Sequence, residues 1–141
     1  MTVRTFLVLL ALTCSAFSQS ATDSEKATIY IYRANQFVAK LKSPTVYCDE
    51  SALAKMQNGR FFKIKLSPGR YAFRSEDKGV GIQLQPEAGK EYFIRIEMAV
   101  GTLKATQQVV EVSSEQGLSE IRRLKPIDRN KIIDQEKVLL E

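Results

Sequence analysis

The 141-residue sequence predicts a mainly β fold: an antiparallel β-sandwich, or a small barrel, of about seven to nine short strands with a short helix near the C-terminus. Three observations carry this expectation. Apolar side chains recur at every second position along most of the chain, the spacing at which a strand turns one face to a core. The runs that do so are rich in Ile, Val, Tyr, Phe and Thr, which fit a pleated, half-buried surface. Turn-forming residues (Gly, Pro, Asn, Asp) break them at intervals of about ten residues.

The first residues stand apart from this pattern. Arg4 opens a short basic start, and Phe6–Leu12 (FLVLLAL) is an apolar run too short to span a bilayer. Small residues follow, and Ala16-Phe17-Ser18 places them where a signal peptidase reads. Residues 1–18 are therefore expected to be a signal peptide, with cleavage after Ser20 as the alternative site. Cys14 raises lipid anchoring, but the preceding Ala11-Leu12-Thr13 fits a lipoprotein signal poorly, so the expected form is exported, periplasmic or secreted, without a lipid. Removal of the signal leaves Cys48 as the sole thiol, which rules out an intrachain disulfide. No other stretch is apolar enough to cross a membrane as a helix.

A polar lead-in, Thr22–Lys26, precedes Thr28–Arg33 (TIYIYR) and Thr45–Cys48, both strand-like in composition. Asn58-Gly59 is a strong signal for a type I′ hairpin turn, and it would pair Leu53 with Ile64. Pro68-Gly69 separates Arg60–Leu66 from Arg70–Ser75. These two strands are expected to pair: keeping Phe62, Ile64 and Leu66 on one face with Tyr71 and Phe73 sets Leu66 opposite Tyr71 and Ile64 opposite Phe73. Glu76–Gly79 and Pro86–Gly89 close two further connections. Between them Val80, Ile82 and Leu84 alternate with Gly and Gln. Glu91–Val100 is the clearest strand: Tyr92, Ile94, Ile96, Met98 and Val100 share one face, and Glu91, Arg95 and Glu97 the other. Val109–Val112 alternates less cleanly. Ser113 or Ser114 then caps a short helix bearing Leu118, Ile121 and Leu124, which stops before Pro126. The reading yields one β-sandwich domain over 27–126 and a charged tail, helical or loose, over 127–141, which either docks a partner through Ile132, Ile133, Leu139 and Leu140 or frays. A chain of this length supports one core.

Three stretches resemble a bacterial family called domain of unknown function twenty-eight forty-six: ATIYIYR (Ala27–Arg33), PTVYCDESALAKMQNGRFFKIKLSPGRYAF (Pro44–Phe73) and IQLQPEAGKEYFIRIE (Ile82–Glu97). The central block is also similar to PEGA-type modules, in which Leu-x-Pro-Gly precedes a strand. The resemblance implies an envelope location and a sandwich-like fold, and it brings no activity with it. Two departures are visible. Cys14 lacks a good lipoprotein context, and Asp49-Glu50-Ser51 stands where family members often have Asp-Gly, so that turn must close differently.

The chain contains no histidine, which removes Ser-His and Cys-His pairs, histidine bases and most zinc sites together. Cys48 alternates with Val46 on an apolar face and reads as a buried, inert thiol rather than a nucleophile. The carboxylates sit in turns or on outward faces, with no pair directed into a cleft, as glycoside chemistry would need. No glycine-rich loop leads a strand into a helix to cradle phosphate. No enzymatic activity, cofactor or metal is expected.

Binding is the remaining class. The hairpin register puts Lys63 opposite Arg74 on the solvent face, with Lys65 and Arg70 nearby, and like charges across a strand pair cost stability unless an anion lies between them. These four residues are the candidate site for an anionic envelope component or an acidic envelope protein; the bland reading is a solvated, charged face. The net charge of +5 permits such a partner without demanding it. Nucleic acid is not expected, since no basic cluster is interleaved with aromatics. Tyr30 and Tyr32 share a face and offer a stacking platform for sugars, or simply half-buried sheet aromatics. Arg33 and Arg95 are expected to pair with carboxylates at the sheet margin. The leading function is a non-enzymatic binding or accessory module of the envelope. The alternative is a small-ligand carrier, for lipid or sugar, with an apolar pocket between the sheets.

Overall fold

A computed structural model describes residues 24–76, 81–100 and 105–140. The expected signal peptide with its cleavage sites, Cys14, and the turn residues Asp77–Val80 lie outside the described residues.

The described residues form two sheets. Strands β1 (Ala27–Arg33), β4 (Arg60–Leu66), β7 (Glu91–Val100), β8 (Ala105–Val112) and β10 (Val138–Leu139) make the first, in the order β10-β4-β1-β7-β8, with β9 (Lys125–Pro126) also on β4. Strands β2 (Thr45–Cys48), β3 (Ser51–Lys55), β5 (Tyr71–Ser75) and β6 (Ile82–Leu84) make the second, in the order β3-β2-β5-β6. The sheets face one another across a core that takes Ile29, Ile31, Phe62, Ile64, Ile94, Ile96 and Val109 from the first sheet. Val46, Cys48, Leu53 and Phe73 enter it from the second. The fold is therefore sandwich-like and mainly β, as the period-two patterning predicts.

Its pairing departs from the expected hairpins. β4 pairs with β1, not with β3 or β5, and β5 pairs with β2 and β6. Asn58-Gly59 and Pro68-Gly69 each carry the chain from one sheet to the other. None of the expected pairs Leu53–Ile64, Leu66–Tyr71, Ile64–Phe73 and Lys63–Arg74 forms. Alternation requires only that Ile64 and Phe73 share a core; facing each other across it satisfies the pattern as well as lying side by side. At Asn58-Gly59 only Gly59 has positive φ, at 69°, so the type I′ geometry is absent. The tight hairpin turn is Asp49-Glu50, between β2 and β3. There Asp49 takes a φ of 51°, and its backbone N–H and its Oδ1 hold Ala72 of β5, by a bond to the carbonyl at 2.7 Å and from the N–H at 2.8 Å. The sheets are also not wholly antiparallel: β1 lies parallel to β7, and β4 to β9.

The helix α1 (Ser114–Ile121) is capped by Ser113, whose Oγ accepts from the Gln116 N–H at 3.3 Å. The face it buries is not the expected Leu118 stripe, since Leu118 is 42% exposed. Gly117 is the buried helical residue, laid against Phe93 on the outer face of the first sheet. Val109, rather than Val110 or Val112, enters the core.

The segment expected to be a helical or loose tail is neither. A 3₁₀ turn (Arg129–Lys131) leads to β10, which pairs with Ile64 and Lys63 of β4. Before it, Ile132 bridges Ala54, and the N–H groups of Ile133 and Asp134 both donate to the carbonyl of Leu53, at 2.9 and 3.0 Å. Ile127 and Val138 are buried in the core. Charge masked this strap in the sequence, because its short apolar runs, Ile132-Ile133 and Val138-Leu139-Leu140, stand among charged residues without strand alternation.

Candidate functional site

The four residues singled out for an anionic partner are not brought together. Lys63 lies in the first sheet, opposite Tyr30 of β1 and Leu139 of β10, and Lys65 stands two residues along the same outward face. Arg74 lies on the outward face of the second sheet, with its guanidinium 4.0 Å over the Tyr47 ring and a bond to the Glu76 carbonyl at 3.0 Å. Arg70 is exposed just before β5 and borders a shallow hollow with Gln83, Leu84 and Gln85. The like-charge pair that motivated the patch therefore does not exist. Lys63 and Arg74 point away from each other on opposite sides of the sandwich.

A different basic cluster is assembled at one end of the molecule. A cleft of about 530 Å³ is lined by Lys40, Arg60, Arg123, Lys125 and Lys131, with Asn35, Leu41, Ser43, Gln57, Asn58, Gly59 and Leu124. Each cation is placed by backbone. Arg60 opens β4, and Lys125 is its register partner in β9, held by a bond from the Lys125 N–H to the Gly59 carbonyl at 3.3 Å. The next residue but one, Ile127, donates to the Phe61 carbonyl at 2.8 Å and is itself buried. Arg123 follows the last turn of α1, and Lys131 closes the 3₁₀ turn through a bond to the Asp128 carbonyl at 2.9 Å. Arg60 is further oriented by the Pro126 carbonyl at 3.1 Å and Asp128 at 3.5 Å. No carboxylate is among the lining residues, so their cationic charge is only partly offset, by Asp128 beside Arg60. Five cations converging on a cleft with amide and hydroxyl groups between them form a positive basin for a multiply charged anion. A signal for this was available in the sequence: Arg122, Arg123, Lys125, Arg129 and Lys131 fall within ten residues. Without the β9–β4 pairing that segment reads as a solvated tail.

Beside the cleft, the loop after β1 is fixed from within. Arg33, fully buried, donates to the carbonyls of Lys42 at 2.5 Å and Ala39 at 2.8 Å. Its partners are thus backbone carbonyls, not the expected carboxylate, and its Nε has no partner among the described residues. Burial pulls its pKa below the ordinary guanidinium value. Asn58, expected in a hairpin turn, instead accepts from the Gln36 N–H at 2.9 Å and donates to Asn35 Oδ1 at 2.7 Å.

Arg95 meets the expectation of a carboxylate partner. It pairs with Glu97 and with Glu120 of α1, the latter at 2.8 Å, while the Tyr32 hydroxyl donates to Glu120 at 2.6 Å. Tyr32 is buried, and Tyr30 stacks on Phe93 with ring centroids 4.8 Å apart, so both serve as sheet aromatics beside the helix. Cys48 is buried. Its pKa is pushed up to about 11, chiefly by burial and further by the Asp49 charge, with Lys137 opposing. Among the described residues no three His, Cys, Asp or Glu side chains stand together as a metal site, and no helix is long and apolar enough to cross a membrane.

Comparison with known proteins places most of the chain, though not the segment with Arg123, Lys125 and Lys131, in a family described as of unknown function. An uncharacterized protein of Haemophilus influenzae is 29% identical over 98 residues, which cover 68% of this chain. That stretch is 58% of the relative's own length. No solved structure matches the chain. The family model described as "Protein of unknown function (DUF2846)" matches residues 23–109, which carry β1 to β7, and the chain belongs to that family.

Proposed function

We propose that the protein is a non-catalytic binding module of the bacterial cell envelope that holds an anionic component in the cleft between Arg60, Arg123, Lys125 and Lys131. The observation that carries this reading is the convergence of cations from the loop after β1, the start of β4 and the segment from Arg123 to Lys131 on one cleft without an acidic lining residue. Holding like charges together costs stability, and an anion lowers that cost. The envelope location follows from the export pattern of residues 1–20. A carrier with a pocket between the sheets is the weaker reading, because Ile29, Ile31, Leu53, Phe62 and Phe73 fill that space.

Titration with inorganic polyphosphate at low salt tests the reading. Binding is expected to weaken steeply as salt is raised and to drop at least about tenfold in Arg123→Glu/Lys125→Glu, since each reversal replaces an attraction with a repulsion. Reversal of Lys63 and Arg74 to Glu should leave it within about twofold, because those side chains are remote from the cleft. Equal loss in both variants would show that net charge alone, and not the cleft, is responsible.

A further inference from the structure

Phe37 and Leu41 are 95% and 97% exposed, and Val38 between them is 41% exposed. A free loop with such a sequence would fold its apolar side chains inward, yet this loop is held open. Arg33 grips its far side through the Ala39 and Lys42 carbonyls, Ala39 takes a φ of 52°, and Asn58 pins its near side at Gln36. The apolar tip adjoins the basic cleft directly, because Lys40 and Leu41 line both the cleft and the hollow beside Phe37. A small, rigid apolar point rimmed by Lys40 and Lys42 is too small for a stable protein interface, which buries about 800 Å² on each partner. It matches the depth at which interfacial elements enter the headgroup and acyl boundary, about 5–10 Å.

We propose that this end of the molecule docks on an anionic phospholipid surface: Phe37 and Leu41 enter the acyl boundary while the cleft cations receive headgroup phosphates. This rests on the anion-binding reading of the cleft and names its partner. The apolar tip supplies depth and the cations supply charge selection, so neither alone gives strong attachment. Buried Arg33 acts at a distance, by keeping the tip presented.

The chain contains no tryptophan, so Phe37→Trp creates a single tryptophan at the tip, which can be excited apart from the tyrosines. Its emission is expected to shift to the blue with vesicles of phosphatidylglycerol and phosphatidylcholine, and to stay unshifted with phosphatidylcholine alone. Co-sedimentation with the same vesicles should fall at least about tenfold in Phe37→Ser/Leu41→Ser, the loss expected when two large apolar side chains no longer leave water. It should fall similarly in Arg123→Glu/Lys125→Glu. All variants carry the same N-terminus, so any contribution from residues 1–20 is constant, and circular dichroism checks that each is folded. The Phe37→Ser/Leu41→Ser variant should still bind inorganic polyphosphate as the parent does. Polyphosphate binding without vesicle binding or a blue shift would overturn membrane docking and leave the anionic cleft standing. Loss of both would overturn both readings. Sedimentation indifferent to the tip substitutions would refute insertion, as would a tip that cross-links to an envelope protein while ignoring the vesicles.

Discussion

Gly117 is the residue on which the helix depends. A Cβ built there would lie 2.2 Å from Cγ of Phe93 and 2.4 Å from its Cδ1. Phe93 cannot retreat, since it is stacked on Tyr30 and buried. Helix propensity alone would reward Gly117→Ala by about 1 kcal/mol. Overpacking costs about 1–3 kcal/mol, and against an immobile ring the larger figure applies, so Gly117→Ala should lower stability by about 2 kcal/mol in urea unfolding. A stabilised variant would mean that α1 does not sit on Phe93 as described. Glu120, on the next turn, gives a second test. Burial raises its pKa, but bonds from Tyr32, Gln116 and Arg95 outweigh this and hold it below the ordinary 4.5. A depressed carboxylate stabilises the fold above its unfolded pKa, and that contribution is lost as pH falls through the folded value. Stability should therefore decline on acidification below about pH 4.5, and Glu120→Gln should flatten that decline. Unfolding midpoints at neutral and acidic pH check it, and an unchanged slope would sink the assignment. Tyr32, pushed up by burial and by Glu120, works in the other direction: the fold favours its neutral form, and that contribution is lost only as pH rises above 10.0.

Among the elements, the C-terminal strap joins what the turns leave apart. Residues 132–134 bond to β3 at the margin of the second sheet, and β10 extends the first sheet beyond β4. Both would otherwise present open edges on the same side of the sandwich. Deleting residues 132–141 removes Ile132 and the buried Val138, a loss of about 3 kcal/mol or more at about 1.5–3 kcal/mol per buried aliphatic side chain. It also bares backbone donors and acceptors of β3 and β4. The truncated chain is expected to melt lower and to aggregate with concentration. A monomeric product with an unchanged melting curve would show the strap to be ornamental. The elements also mark where reading the sequence stops. The strands up to β8, a serine cap at Ser113 or Ser114 and the alternating faces of β7 follow from local periodicity and hydrogen-bond chemistry, and were legible; β9 and β10 were not. Strand partners were not, because Asn58-Gly59 and Pro68-Gly69 specify that the chain turns and leave open whether it turns within a sheet or between two. The Lys63–Arg74 patch was lost with that choice. The cleft was legible only in part: the run from Arg122 to Lys131 is visibly basic, but its convergence with the loop after β1 and the start of β4 depends on the β9–β4 pairing.

At the scale of the whole molecule, one end concentrates the features that point outward. The buried guanidinium of Arg33, the five cations and the two bare apolar side chains gather there, around the ends of β1 and β4 where Arg33 and Arg60 are register partners. Where β5 and β8 approach each other, the Ser75 hydroxyl donates to Gln107 at 2.5 Å. The position of β1 has a consequence in time. It is the first strand among the described residues, yet it lies in the middle of its sheet, flanked by β4, which ends at Leu66, and by β7, which ends at Val100. Neither flank is a sequence neighbour, so the loops that must close are long and the first strand waits for both. A chain emerging N-terminus first therefore stays open until roughly two-thirds of it has appeared. The strand order thus ties completion of the first sheet, whose outer strand β10 is Val138–Leu139, to synthesis of the last third of the chain.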